Sequence, residues 1–123
     1  MSDPSYILLY VADVAKSAAF YERLLERQPV ENSPAFALFV LQSGVKLGLW
    51  ATSDVEPPAK RTGGGAELVF TLESEAQVTG RHEEWRKQGI EILQNPVWMD
   101  FGFTFVGADL DEHRLRVFAP RKS

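Results

Sequence analysis

Two charged residues, Glu67 and Arg116, are the side chains in this sequence best placed to do polar chemistry. Each sits inside an apolar segment that predicts a strand, Glu67–Leu72 and Arg114–Phe118. Because an unpaired buried charge is costly, we expect the two to form an ion pair on a shared surface. Two alternatives are that both side chains reach solvent separately, or that Glu67 acts as a general base.

Aromatic rings provide a second capability, which is stacking on a flat ligand at about 0.5–1.5 kcal/mol per contact. Trp50 ends a predicted strand, and Gly48 on the same face is expected to leave room beside its ring. The rings could instead form core or a dimer interface, and core packing is the preferred interpretation for Phe36 and Phe103. The candidate ligand-contacting residues are Tyr6, Phe36, Trp50, Glu67, Trp98, Phe101, Phe103 and Arg116, of which Trp98, Phe101 and Phe103 are expected in the loop before the seventh strand.

Other kinds of site are excluded or disfavoured by composition. The sequence has no cysteine, so thiolate metal sites, disulfides and cysteine nucleophiles are absent. The glycine run Gly63–Gly65 lacks the spacing of a nucleotide-binding motif. His82 is expected to be solvated in mid-helix, and His113 to be structural in a turn, with a ligand-facing role as its alternative.

Charge and hydropathy restrict the partners. Thirteen basic and seventeen acidic side chains give a net charge of -4, which disfavours nucleic acid and anionic membranes. No apolar run approaches the roughly 20 residues of a membrane span. The first four residues do not follow a signal-peptide pattern, so a cytoplasmic location is expected.

The elements that position these residues follow from hydrophobic periodicity. A predicted strand over Tyr6–Val11 leads into a helix capped by Asp13, which we expect Pro29 to end. The helix is predicted from apolar residues at helical spacing, which are Val14, Ala18, Tyr21 and Leu25. A short extended piece near Val30 and a hairpin over 36–50 complete the first half.

The second half repeats this order. A strand over Glu67–Leu72 precedes a helix that begins at Ser74, with Gln77 completing a capping box, and stops at Gly89. Three further strands are predicted at Ile90–Leu93, Phe103–Val106 and Arg114–Phe118.

The whole chain of 123 residues is therefore predicted to be a single domain with an internal duplication. Module one covers 5–51, a linker rich in Gly and Pro covers 52–65, and module two covers 66–120. The fold class is α+β, with two βαβββ modules forming a curved, partly closed barrel. Strand alternation turns Tyr6 away from the first helix, and turns Glu67 and Arg116 away from the second.

Two motifs at the ends of this pattern resemble a known family. Tyr6, Val11, Asp13, Ser17, Phe20 and Tyr21 resemble the opening "V-x-D-x-x-x-S-x-x-F-Y" of the vicinal-oxygen-chelate superfamily, the glyoxalase/bleomycin-resistance group. The segment from Asp109 to Val117 resembles its closing "D-P-D-G-N-x-x-E-L". Among members without a metal, the chain resembles the phenazine-antibiotic-resistance binding proteins. That resemblance implies a homodimer that holds a planar tricyclic aromatic without chemistry.

The metal enzymes of this family use four ligand positions, and the resemblance assigns them to Tyr6, Leu47–Leu49, Glu67 and Arg116. Only Glu67 could bind a hard cation, because a guanidinium has no lone pair to donate. We therefore expect no metal and no cofactor. The predicted function is sequestration of a planar aromatic antibiotic. The alternatives are a lyase or dioxygenase with a divergent metal or metal-free site, a metal-free isomerase with Glu67 as its general base, and an interaction protein with a vestigial cleft.

Overall fold

The computed structural model describes residues 3–122 and divides after Thr62 into two compact units. Unit 1 contains one helix and a four-stranded sheet in the order β1-β4-β3-β2. Its first strand runs parallel to its last, and the other pairs are antiparallel. Its elements are β1 (Tyr6–Val11), α1 (Val14–Leu25), β2 (Glu31–Asn32), β3 (Phe36–Val40) and β4 (Lys46–Ala51), followed by a 3-10 turn at Thr52–Asp54.

Unit 2 repeats the arrangement, with the sheet order β5-β8-β7-β6 and β5 parallel to β8. The predicted α+β fold with two βαβββ modules is thus confirmed. Within residues 3–122, the helices fall short of the length and apolarity that a bilayer crossing demands. The elements of unit 2 are β5 (Glu67–Thr71), α2 (Glu75–Lys87), β6 (Glu91–Met99), β7 (Gly102–Ala108) and β8 (Arg114–Pro120).

Both helices begin at the predicted caps. The Asp13 side chain accepts the Lys16 N–H at 3.0 Å, and the Ser74 hydroxyl accepts the Gln77 N–H at 3.2 Å. The expectation that Pro29 ends α1 is wrong, because Glu26 already turns the chain into the left-handed region at φ 53°. Gly89 follows α2 at φ 81°, as predicted for a stop.

Each helix packs on one face of its own sheet. In unit 1 the core joins α1 to β3 and β4, and its fully buried side chains include Tyr21, Phe39, Leu47 and Leu49. In unit 2 the Trp85 ring of α2 meets Phe105 of β7 edge-on, with ring centroids 5.2 Å apart. We call the opposite face of each sheet, which its own helix does not cover, the open face of that unit. The alternation of a strand therefore decides which side chains reach that face.

Candidate functional site

The open face of unit 2 carries the predicted ion pair. Arg116 of β8 donates from Nε to Glu67 Oε1 at 2.8 Å and from Nη2 to Oε2 at 3.1 Å. This two-point geometry matches a planar guanidinium to a carboxylate. The side chains are only 17% and 26% exposed, respectively. The predicted pairing of Glu67 with Arg116 is confirmed, and the alternative of separate solvation is wrong.

The remaining nitrogen of the Arg116 guanidinium is also held. Its Nη1 donates to Thr104 Oγ1 at 3.1 Å and to Gln94 Oε1 at 3.4 Å. The hydroxyl of Thr104, a fully buried residue, in turn donates to the Val117 carbonyl at 2.8 Å. Side chains of the three other strands of the sheet, β5, β6 and β7, therefore hold Arg116 in place. Sequence reasoning missed Thr104 and Gln94, because their approach depends on the register of β6 and β7.

Arg116 favours the ionised form of Glu67. Its hydrogen bonds lower the pKa of Glu67, partial burial opposes them, and the charges of Arg116 and Arg114 lower the pKa further. Glu67 is accordingly an ionised carboxylate with both oxygens engaged. A general base needs a pKa near the working pH and a free lone pair facing the substrate. This geometry does not support Glu67 in that role.

Phe101 brings an aromatic ring to the same face. It lies in the turn between β6 and β7 and is 44% exposed. The Arg116 guanidinium carbon lies 5.6 Å from its ring centroid, within the range of a cation–π contact. The ring of Phe118, which sequence reasoning did not single out, meets Phe101 edge-on with ring centroids 5.5 Å apart. The open face of unit 2 thus combines a neutralised ion pair with a partly exposed ring.

The open face of unit 1 carries a row of three rings. Tyr10 on β1 and Phe36 on β3 both lie directly opposite Trp50 on β4. The Tyr10 and Trp50 rings are 6.3 Å apart and nearly perpendicular. Tyr6 lies further along β1, 44% exposed, with Lys46 Nζ 5.8 Å from its ring centroid. Tyr6, Phe36 and Trp50 therefore share one face.

The space expected beside Trp50 is filled. A Cβ atom at Gly48 would lie 2.7 Å from Leu8 Cδ2 and 3.0 Å from Phe36 Cζ. Those two side chains close over the glycine. The expectation that Gly48 leaves room for a ligand is therefore wrong. The accessible part of this face is formed by the aromatic rings and Leu8 themselves.

Trp98 and Phe103 occupy the other face of the unit 2 sheet. Trp98 was expected in a loop but lies on β6, whereas Phe103, expected where that loop meets the strand predicted at Phe103–Val106, lies on β7 directly opposite it. Phe103 has the same parity along β7 as Phe105, which packs on the α2 residue Trp85. Trp98 lines a groove of about 380 Å³ beside the start of α2. The structure therefore separates this pair from Glu67, Phe101 and Arg116, and a ligand-contacting role for it stays a prediction.

The structure contradicts the prediction for one histidine and agrees with the prediction for the other. His82 was expected to be solvated, but it is buried against the Phe105 ring, at a centroid distance of 5.2 Å. His113 is buried in the turn before β8, with Nδ1 2.7 Å from Asp109 Oδ2. Asp109 Oδ1 also accepts the N–H groups of Asp111 and His113. The structural role expected for His113 is thereby supported.

Sequence and structural comparisons identify the family of this chain. The sequence profile of the Glyoxalase/Bleomycin resistance protein/Dioxygenase superfamily matches residues 4–117. The chain belongs to this superfamily. The resemblance based on its two terminal motifs is thereby confirmed.

Individual proteins are also similar to the chain. The phenazine antibiotic resistance protein EhpR of Enterobacter agglomerans is 29% identical over 117 residues, covering 93% of this chain and 89% of EhpR. The solution structure of protein ATC0852 from Agrobacterium tumefaciens is 49% identical, with a TM-score of 0.91 over 99% of this chain and 100% of that chain. A glyoxalase-related enzyme from Fulvimarina pelagi shares the fold, with a TM-score of 0.83 at 22% identity over 97% of this chain and 88% of that chain.

The residues that the resemblance assigns to metal-ligand positions do not fit a metal. Both oxygens of Glu67 are engaged by Arg116, which itself occupies another ligand position. At the position assigned to Leu47–Leu49, two buried leucines flank Gly48, which has no side chain to bind a cation. Within residues 3–122, no cluster of three or more His, Asp or Glu side chains could hold a metal ion. No reaction step through a metal is derived from these residues.

Proposed function

We propose that this protein binds a planar aromatic small molecule, an antibiotic of the phenazine type or similar, and sequesters it without chemical conversion. The observation that carries the proposal is the two-point bond from Arg116 to Glu67. It neutralises the one carboxylate that the resemblance assigns to catalysis or metal binding. The similarity to EhpR, named a phenazine antibiotic resistance protein, supports the antibiotic class.

Ring stacking would provide the affinity, and each unit, taken by itself, offers partly exposed rings for it. In unit 1 the partly exposed Trp50 ring is flanked by Tyr10 and Phe36. In unit 2 the Phe101 ring offers an exposed stacking partner beside the Arg116 guanidinium. Aromatic rings tolerate different flat ligands, because stacking depends on shape and polarisability more than on specific donors. We therefore propose a ligand class and not a single compound.

Equilibrium dialysis against phenazine tests the proposal. This measurement follows free ligand, so it does not depend on tryptophan fluorescence when Trp50 is replaced. We expect saturable binding by the unaltered protein, and a Kd raised about tenfold by Trp50→Ala, since losing about 1.4 kcal/mol changes Kd tenfold. Phe101→Ala is expected to weaken binding to a similar degree through the second ring.

Matched controls separate stacking from general hydrophobicity. Phe20→Ala removes a ring of intermediate exposure on α1, which lies outside both open faces, and should leave the Kd unchanged. The cage alcohol 1-adamantanol, which is apolar but not planar, should not compete with phenazine. A protein that binds no phenazine, or whose Kd is insensitive to both Trp50→Ala and Phe101→Ala, would contradict the proposal.

The enzymatic alternative makes a different prediction. A lyase or dioxygenase of this superfamily with a divergent metal site requires a divalent ion, and a metal-free isomerase requires Glu67 as a free base. Elemental analysis of the purified protein addresses the first case. Finding stoichiometric metal in the unaltered protein, and its loss in Glu67→Gln, would favour a catalytic function over sequestration.

A homodimer and a cytoplasmic location, both expected from the sequence, also belong to this proposal. The superfamily resemblance supports the dimer, since two-fold pairing completes binding cavities in such folds. Light scattering at micromolar concentration tests it, and a monomer under those conditions would contradict this part. Saturable phenazine binding by such a monomer would leave the sequestration proposal intact.

A further inference from the structure

Arg121 bonds three consecutive residues of the turn that carries Phe101. Three consecutive carbonyl groups, those of Met99, Asp100 and Phe101, each accept one hydrogen bond from it. The Arg121 Nη2 atom donates to Met99 at 2.9 Å and Nε donates to Asp100 at 3.3 Å. The backbone N–H of Arg121 donates to Phe101 at 3.0 Å.

The planar shape of the guanidinium makes this arrangement possible. Its donors form a rigid fork, so one side chain can reach two carbonyls of a tight turn at once. The Arg121 guanidinium carbon also lies 4.9 Å from the Trp98 ring centroid, within the range of a cation–π contact. A lysine would keep the charge, but its three donors share one nitrogen, so it could not place donors at the separate positions of Nε and Nη2.

The residue that follows Phe101 is constrained as well. Gly102 follows Phe101 at φ 154°, and a Cβ atom there would overlap the carbonyl oxygen of Ala119. The chain entering β7 therefore lies directly against β8. Because Arg121 bonds the turn and Gly102 packs against the end of β8, the backbone that bears Phe101 has little freedom. The Phe101 ring is thus exposed and also held in place between Phe118 and Arg116.

We propose that Arg121 is a positioning residue that holds the Phe101 ring in the orientation that stacks on the planar ligand. This inference rests on the proposed function, and Arg121 acts through Phe101 without contacting the ligand. A preorganised ring avoids the ordering cost of binding, which for one side chain corresponds to about 3- to 10-fold in affinity.

A double-mutant cycle on phenazine binding tests this inference. We expect Arg121→Lys to raise the Kd about 3- to 10-fold in equilibrium dialysis, although it preserves the positive charge. In the Phe101→Ala background the same substitution should have no further effect, because the ring it positions is gone. The charge-preserving change also excludes simple electrostatic attraction of the ligand as the role of Arg121.

A matched arginine and a second measurement complete the design. Arg86→Lys changes an exposed arginine whose side chain bonds Glu83 in α2, and should leave the Kd within about 2-fold. Amide hydrogen exchange at position 121 should quicken in Arg121→Lys, because its bond to the Phe101 carbonyl opens more often.

The outcomes distinguish this inference from the function on which it rests. Failure of the unaltered protein to bind phenazine would overturn the proposed function, and this inference with it. Binding that is unchanged by Arg121→Lys, or that weakens equally in the Phe101→Ala background, would overturn this inference alone. Unchanged exchange at position 121 would also overturn it, since the turn would then not depend on the side chain.

Discussion

Glu67 lies directly opposite Arg114 in the parallel register of β5 and β8, yet its two-point bond goes to Arg116, one step further along the same face. Arg114 reaches only to 3.8 Å from Glu67 Oε2 and is 49% exposed. The same carboxylate therefore has one specific partner and one loosely associated one. This difference allows the two arginines to serve as matched tests of what the pair contributes.

Replacing the specific partner should cost far more stability than replacing the loose one. Arg116→Met leaves the partly buried Glu67 carboxylate without its hydrogen bonds, and we expect the free energy of unfolding to fall by about 1–3 kcal/mol. Arg114→Met removes an exposed contact and should change it by less than about 1 kcal/mol. Urea denaturation of the two variants measures both values, and equal losses would contradict a special role for Arg116.

The pair also predicts a pH dependence. Folding lowers the pKa of Glu67, chiefly through the hydrogen bonds from Arg116. Ionised Glu67 therefore stabilises the fold above its unfolded pKa of about 4.3, and this stabilisation is lost as the pH falls through its lower folded pKa. The free energy of unfolding of the unaltered protein should exceed that of Glu67→Gln at neutral pH, and the two should converge in acid.

The Arg116→Met background is the control for this pH effect. Without the guanidinium, the main cause of the lowered pKa is gone, so introducing Glu67→Gln there should produce little acid-dependent difference. Urea denaturation at a series of pH values in both backgrounds provides the comparison. A difference between Glu67 and Gln that persists unchanged into acid would show that ionisation of Glu67 does not stabilise the fold.

Hydrophobic periodicity predicted the order of helices and strands, because each helix buries one stripe of apolar residues and the side chains of each strand alternate between the two faces of its sheet. It failed where backbone geometry decides. Glu26 adopts a left-handed conformation that ends α1 before Pro29. No residue pattern in the sequence predicted this conformation. The chain of β6 continues past Pro96 with two irregularities in its pairing. β6 is the edge strand of its sheet, where a proline is tolerated, and the prediction of Trp98 in a loop did not anticipate this continuation.

The candidate site was predictable only in part for the same reason. Strand parity alone put Glu67 and Arg116 on one face, since both strands are regular and neighbouring. The face of Trp98 depends on the register of the β6–β7 hairpin, which no sequence pattern determined. The hydrogen bonds from Arg121 to backbone carbonyl groups could not be predicted from the sequence either, because every residue has a carbonyl group and its type does not show which one accepts.

Gly48 offers a prediction about the aromatic row of unit 1. A methyl group there would press on the ends of the Leu8 and Phe36 side chains, so Gly48→Ala should lower the free energy of unfolding by about 1–3 kcal/mol. Gly80 is the matched control, because it lies exposed in α2 with no atom within 4 Å of an added Cβ. Gly80→Ala should raise stability by about 0.5–1 kcal/mol through helix propensity. Urea denaturation distinguishes the two, and a stabilising Gly48→Ala would contradict the tight packing.

Trp98 provides a test of whether an aromatic ring must lie on the open face of the sheet to bind the ligand. It is 47% exposed, but it lies on the α2 side of the sheet beside Phe103, away from Arg116. Trp98→Ala should therefore leave the Kd for phenazine within about 2-fold, whereas Phe101→Ala should raise it about tenfold. Arg121 keeps its carbonyl hydrogen bonds without the Trp98 ring, so the position of Phe101 should largely survive. A loss of affinity in Trp98→Ala equal to that in Phe101→Ala would mean that exposed rings on either face bind the ligand.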